Sequence, residues 1–165
     1  MYSKGLAGET ETFLRYGATP RLAVGAGFLH KQGIVRPLLS YTLVPEAAAR
    51  PSLTAGLMYD ALGGGRQGVF VSAAKDLKGW TGVPASLYVG TARISNERRF
   101  RLLGGANLRV SPRVNASVQF DGRYANVGLT TRIGSVNGVP FRIGIVAAKG
   151  DRFGPLIASD IPIRR

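Results

Sequence analysis

Residues 21–28 read Arg-Leu-Ala-Val-Gly-Ala-Gly-Phe, and residues 141–147 read Phe-Arg-Ile-Gly-Ile-Val-Ala. In both stretches apolar side chains alternate with small or polar ones, and the same period of two recurs in most of the runs between them. Side chains of a β-strand point alternately to the two faces of a sheet, so this period predicts antiparallel strands with two unlike faces. The class of protein depends on whether the apolar face meets protein or lipid.

The alternation predicts about ten strands, separated by turn sequences such as Ser111-Pro112-Arg113 and Asp121-Gly122-Arg123. Only residues 45–50 could hold a helical turn. Strands joined by hairpins predict an all-β, antiparallel up-and-down meander, closed into a barrel of about 10 strands (range roughly 8–12). The expected strands cover 11–17, 20–29, 34–44, 51–60, 67–76, 84–93, 99–110, 113–121, 123–133 and 140–149, and a short eleventh is allowed at 153–160.

The chain is expected to form one β-barrel domain over residues 1–165, with residues 1–10 as a flexible N-terminal segment. No apolar stretch near Met1 is long enough for a signal peptide. The sequence leaves open whether the chain is cytoplasmic or has lost a signal peptide before Met1.

The charge balance is strongly basic, with 22 Lys and Arg against 9 Asp and Glu and a formal net charge of +13. Such a charge favours polyanions: nucleic acid, anionic lipid headgroups or acidic polysaccharide. The chain has no Cys and a single His, His30, so neither a metal site nor a cofactor is expected. No combination of His30 with Ser40 and Asp60 is supported by spacing, so we expect no catalytic residues and no enzyme.

The two faces of the predicted strands differ in an informative way. The polar face is rich in Gly as well as Arg, Asn and Gln, whereas water-facing strand positions usually favour Thr, Lys and Glu. Gly suits the concave side of a narrow barrel, so the polar face is interpreted as a lumen and the apolar face as lipid-exposed. The apolar set includes Val24, Phe28, Val35, Leu39, Tyr41, Leu57, Leu87, Val89, Leu102, Leu108, Val118, Val127, Leu129, Ile143 and Ile145.

Residues 103–129 read Leu-Gly-Gly-Ala-Asn-Leu-Arg-Val-Ser-Pro-Arg-Val-Asn-Ala-Ser-Val-Gln-Phe-Asp-Gly-Arg-Tyr-Ala-Asn-Val-Gly-Leu. This segment resembles the strand, tight turn and strand units of bacterial outer-membrane β-barrel proteins of the porin-like or polysaccharide-export type. The resemblance is one of pattern and extends over most of the chain. It implies a bacterial outer-membrane location, a lipid bilayer or detergent as partner, and a structural or pore-like role.

The polar face carries the candidate site. If it is a lumen, its basic residues would favour anionic solutes or polysaccharide, as charged rings do in pores. The open alternative is that the arginines pair with Asp121 and fill a narrow interior. The predicted lumen and anion-binding residues are Arg101, Arg109, Arg132, Arg142, Asn107, Gln119 and Asp121.

Two further interpretations remain open from the residues alone. A soluble basic β-barrel or sandwich would bind a polyanion such as nucleic acid, although most aromatic residues fall on the apolar face rather than among the basic ones. Alternatively, the chain completes its barrel as a homo-oligomer, through unpaired strand edges.

Overall fold

The computed structural model describes residues 11–30, 32–60, 65–136, 139–148 and 152–159. Within these ranges the predicted strand bounds are confirmed to within three residues, and the eleventh strand is present. The elements are β1 (Glu11–Gly17), β2 (Leu22–Leu29), β3 (Ile34–Val44), β4 (Ser52–Asp60), β5 (Arg66–Asp76), α1 (Lys78–Thr81), β6 (Ala85–Ile94), β7 (Arg101–Arg109), β8 (Val114–Phe120), β9 (Ala125–Val136), β10 (Val139–Ala148) and β11 (Arg152–Ser159). Residues 1–10, expected to be flexible, lie outside the described residues.

All eleven strands belong to one antiparallel sheet in sequence order, which confirms the predicted meander. The predicted closure into a barrel is not observed: among the described residues, β1 and β11 are the two ends of the sheet and no ladder joins them. Strand number gives a physical reason. Successive strands of a meander alternate in direction, so the first and eleventh run the same way and could close the sheet only through a parallel pair, which is unusual in barrels of this kind.

The helical turn is also not where the sequence indicated. Residues 45–50 form a turn in which Ala47 and Arg50 make an isolated antiparallel bridge. The helix is instead α1. Just before it, the carboxylate of Asp76 accepts a hydrogen bond from the N–H of Lys78, the first helical residue, at 2.8 Å. Gly82, in the left-handed region at φ 74°, ends it.

The apolar side of the sheet is its exposed side. Val35 and Val89 are 62% and 57% exposed, and the residues that alternate with them in β3 and β6 are more buried. This is the reverse of a soluble barrel, in which the apolar face packs inside. The Gly-rich polar face is therefore the inner, concave face, as the sequence predicted.

An ion pair demonstrates the curl of the sheet toward its polar side. Arg101 at the start of β7 donates to a carboxylate oxygen of Asp60 at the end of β4, at 2.7 Å. These strands are three steps apart, which amounts to about 14 Å in a flat sheet. The side chains meet because β5 and β6 between them bend around the polar face.

The concave side is filled at one end, which we call the filled end and which contains the β2–β3, β4–β5 and β6–β7 connections. Leu29 and Ile94 are 0% and 1% exposed there. Gly65 in the β4–β5 connection packs against the side chains of Leu29 and Ile34, and its carbonyl oxygen accepts a hydrogen bond from Arg36. We call the other end, with the β3–β4, β5–β6 and β7–β8 connections, the open end.

Several inner-face glycines allow neighbouring groups to approach closely. A Cβ at Gly90 would lie 2.8 Å from the Cα of Ser72, and one at Gly144 would lie 2.7 Å from the Cγ2 of Thr130. Both are too short for a real contact, so these positions need glycine as long as the curl is kept.

Gly105→Ala is expected to lower the free energy of unfolding by about 1–3 kcal/mol, as other overpacking substitutions do. Its Cβ would lie 2.6 Å from the carbonyl oxygen of Val118 and 2.9 Å from Cζ of Tyr88. Gly104→Ala is the matched control, since its nearest atom would be the Tyr88 carbonyl oxygen at 3.7 Å. The urea midpoints of the two folded variants check this; equal midpoints would contradict the tight packing at Gly105.

Candidate functional site

An open cavity of about 620 Å³ lies on the concave side toward the open end. Strands β5 to β10 and the β5–β6 connection contribute to it. It is lined by Asp76, Lys78, Pro84, Ala85, Ser86, Asn107, Leu108, Arg109, Asn115, Ser117, Thr130 and Arg142.

Strand register explains why these side chains come together. Arg109 of β7 is opposite Asn115 of β8, which in turn is opposite Thr130 of β9. Asn107 is opposite Ser117 in the same way. Alternation places all five on the concave face, so the cavity wall is a polar surface built from adjacent strands.

Three of the predicted lumen residues line the cavity, namely Asn107, Arg109 and Arg142. Two charged lining residues, Asp76 and Lys78, were not predicted as part of the site. Asp76 could have been found, because it falls on the polar face of β5, opposite Ser86. Lys78 could not, since it belongs to a helical turn that the sequence did not indicate.

The cavity has an excess of positive charge, because three cations, Lys78, Arg109 and Arg142, face one carboxylate, Asp76. The carboxylate of Asp76 is already engaged with the backbone N–H of Lys78. The guanidinium of Arg109 has no hydrogen-bond or ion-pair partner in the part of the chain that is described. A planar guanidinium of this kind suits carboxylate and phosphate oxygens.

Contacts between two connections support the rim of the cavity. Lys75 forms an ion pair with Glu46 at 2.9 Å and lies 5.0 Å from the centroid of the Trp80 ring. The indole N–H of Trp80 donates to the carbonyl oxygen of Ala48 at 2.7 Å. The hydrogen bonds from Lys75 and from the N–H of Asp76 lower the pKa of Glu46. The β3–β4 and β5–β6 connections are thereby fixed to each other.

Arg101 does not belong to this cavity. It lies at the filled end, where Nη2 donates to Asp60 at 2.7 Å and Nε donates to Glu97 at 2.7 Å. Arg123 also pairs with Glu97. The Arg101 side chain is 6% exposed, so its charge is neutralised internally. Arg101, which was predicted as a lumen cation, therefore lies on the polar face but outside the cavity.

The other predicted residues have different surroundings. The carboxylate of Asp121 accepts hydrogen bonds from the N–H groups of Arg123 and Tyr124, at 2.8 and 2.7 Å, and so holds the β8–β9 turn. The open alternative, in which the arginines pair with Asp121, does not hold for Arg101, whose partners are Asp60 and Glu97. Gln119 and Arg132 are exposed and do not line the cavity.

The pKa of Glu97, at the filled end, is shifted by its neighbours. The hydrogen bond from Arg101 lowers its pKa below the ordinary value of 4.5, and the positive charges of Arg101, Arg123 and Arg66 lower it further. Glu97 therefore stays ionised under mildly acidic conditions.

The described ranges contain no group of three or more His, Asp or Glu side chains that could hold a metal ion. His30 packs edge-on against Phe28, with ring centroids 4.7 Å apart. Ser40 is buried and accepts a hydrogen bond from Arg15.

None of the described helices has both the length and the apolar character needed to cross a membrane. Comparison with known proteins gives no matching family model, no matching curated sequence and no matching solved structure.

Asp60→Asn is expected to lower the free energy of unfolding by about 2–3 kcal/mol, because the buried Arg101 would keep only Glu97 as a charged partner. Glu46→Gln is the control, since it removes an exposed ion pair and should change stability little. Urea unfolding of both variants checks this. A similar small effect in both would show that the buried pair does not hold the curl.

The pH dependence of the free energy of unfolding should show the contribution of the ionised Glu97 carboxylate. Its pKa is lower in the folded chain, so its stabilising contribution is present above the unfolded value of 4.5 and is lost as pH falls through the folded pKa. The stability difference between wild type and Glu97→Gln should therefore shrink between about pH 7 and about pH 3. A difference that does not change with pH would contradict the assignment.

Proposed function

We propose that this chain is an outer-membrane-type β-sheet protein whose apolar side faces lipid and whose concave side forms a cationic, water-filled lumen. The observation that carries the proposal is the exposure of the apolar side. Side chains on five different strands are each more than half exposed, namely Val69, Val89, Leu102, Val127 and Ile145. Soluble monomers rarely expose a continuous apolar surface larger than a few hundred Å².

Strand length supports the same proposal. Strands β3 to β7, β9 and β10 have between 9 and 12 residues. A tilted strand needs about 9–11 residues to cross the hydrocarbon core of a bilayer.

Aromatic and basic residues at the strand ends fit the two membrane surfaces. Trp80 lies at the open end and Phe100 at the filled end, and they are 60% and 68% exposed. The guanidinium of Arg93 lies 5.8 Å from the centroid of the Phe100 ring. Such side chains are enriched where a membrane meets water.

A sheet that crosses a bilayer needs hydrogen-bond partners along both edges. The proposal therefore includes partners for β1 and β11 inside the membrane, and a second copy of the chain is the partner expected. The lumen itself favours anionic solutes, because Lys78, Arg109 and Arg142 face its open end. Its role is structural or pore-like, and no catalytic activity is proposed.

A second candidate rests on the surface charge. Arg98, Arg99, Arg113 and Arg123 are exposed in the connections between strands, and the chain has a net charge of +13. A soluble sheet with this surface would bind a polyanion such as nucleic acid, with an affinity that falls steeply as salt is raised.

The test of the membrane proposal is folding in detergent micelles. We expect a cooperative folded state only with detergent, faster gel migration before heating than after it, and a mass that includes a second copy. Val89→Arg should destabilise this state by about 2–4 kcal/mol, because the charge would enter the hydrocarbon region, whereas Val83→Arg in the β5–β6 connection should cost about 0–1 kcal/mol.

A detergent-free soluble monomer in which both arginine variants are neutral would overturn the membrane proposal. Salt-sensitive binding of nucleic acid by that monomer would then establish the second candidate.

A further inference from the structure

Along β6, the inner side chains become more buried from the open end toward the filled end. Along β6, the inner residues run from Ser86 at the cavity, through Tyr88, to the buried Ala92 and Ile94. The Tyr88 ring lies close to Gly105 of β7. On the β6 and β7 side, a solute entering from the open end therefore meets packed side chains below Ser86.

The neighbouring strand, β7, shows the same order of side chains from the open end to the filled end. Along β7, Asn107 and Arg109 line the cavity, Gly105 lies under Tyr88, and the buried Leu103 and the neutralised Arg101 follow. This arrangement resembles a binding pocket more than a passage for ions.

The lining indicates what such a pocket would hold. Its charged groups are mostly cationic, and its neutral polar groups are the amides of Asn107 and Asn115 and the hydroxyls of Ser86, Ser117 and Thr130. Amides and hydroxyls both donate and accept hydrogen bonds, which suits the hydroxyl groups of a ligand. None of the described lining residues is aromatic, so they offer no platform on which a nucleobase would stack.

The register gives these groups a definite arrangement. Arg109, Asn115 and Thr130 form one row across three adjacent strands. Gly144 of β10 continues the row, and Arg142 lies two residues from it on the same face. Two guanidinium groups therefore flank a stretch of neutral hydrogen-bonding side chains.

We propose that this cavity binds a small polyhydroxylated anion, a sugar acid or a sugar phosphate. The acidic group lies between Arg109 and Arg142, and the hydroxyls bond to Asn115, Ser117 and Thr130. The volume of about 620 Å³ is within the usual range of small-molecule sites. The inference rests on the cationic lumen of the proposed function and narrows it to a binding site for one class of solute.

Calorimetric titration of the purified, folded protein tests the proposal with three probes: gluconate, glucose 6-phosphate and glucose. We expect saturable binding of one or both anions and none of glucose. Gluconate and glucose 6-phosphate separate a carboxylate from a phosphate as the preferred acidic group. Binding of glucose as tight as that of the anions, or no binding of either anion at millimolar concentration, would overturn the proposal.

Variants locate the site. Arg109→Gln should weaken anion binding by at least about tenfold, the usual loss for a charge-assisted hydrogen bond. Arg98→Gln is the matched control, because it removes the same charge from an exposed connection at the filled end and should leave binding unchanged. If Arg109→Gln does not fold, Lys78→Gln in the exposed α1 turn replaces it, with a weaker affinity expected. Equal losses in Lys78→Gln, Arg109→Gln and Arg98→Gln would show non-specific attraction and overturn the site.

The ligand proposal and the membrane proposal can be overturned independently of each other. A soluble, detergent-free protein that binds gluconate and loses this binding in Arg109→Gln would overturn only the membrane proposal. A detergent-dependent protein that binds none of the three probes would overturn only the ligand proposal.

Discussion

The curl of a single sheet toward its polar face is the constraint on which the other features of this molecule depend. Arg101 holds it at the filled end, where its guanidinium is shared by Asp60 of β4 and Glu97 of the β6–β7 connection. Because the polar side is concave, side chains from β5 to β10 converge on one cavity. Because the apolar side is convex, its valines and leucines are separated from that cavity and remain exposed.

The curl also divides the concave face into two chemically different halves. At the filled end, the buried Arg101 is paired with Asp60 and Glu97, and the aliphatic side chains of Leu29 and Ile94 exclude water. At the open end, Arg109 has no such partner among the described residues. Buried ion pairs contribute order more than net stability, whereas a cation left in a polar cavity is available to a ligand.

The strands and their faces were predictable because a period of two acts locally, residue by residue. The absence of closure was not predictable, because closure requires a pairing between the first and last strands, and alternation within each strand carries no information about that pairing. The cavity was predictable in part: Asn107, Arg109 and Arg142 follow from alternation. Which arginine finds a carboxylate depends on contacts across several strands, so Asp60 and Glu97 could not be recognised as the partners of Arg101.

The inner glycines have a consequence for how this sequence can vary. At Gly90, Gly105 and Gly144 any larger residue would meet the neighbouring strand or a tyrosine ring, so these positions are bound to the shape of the sheet. The side chains of Asn107 and Asn115, by contrast, line the open cavity. Related chains could therefore diverge in what the cavity accepts while inheriting an unchanged scaffold, and specificity could evolve independently of the fold.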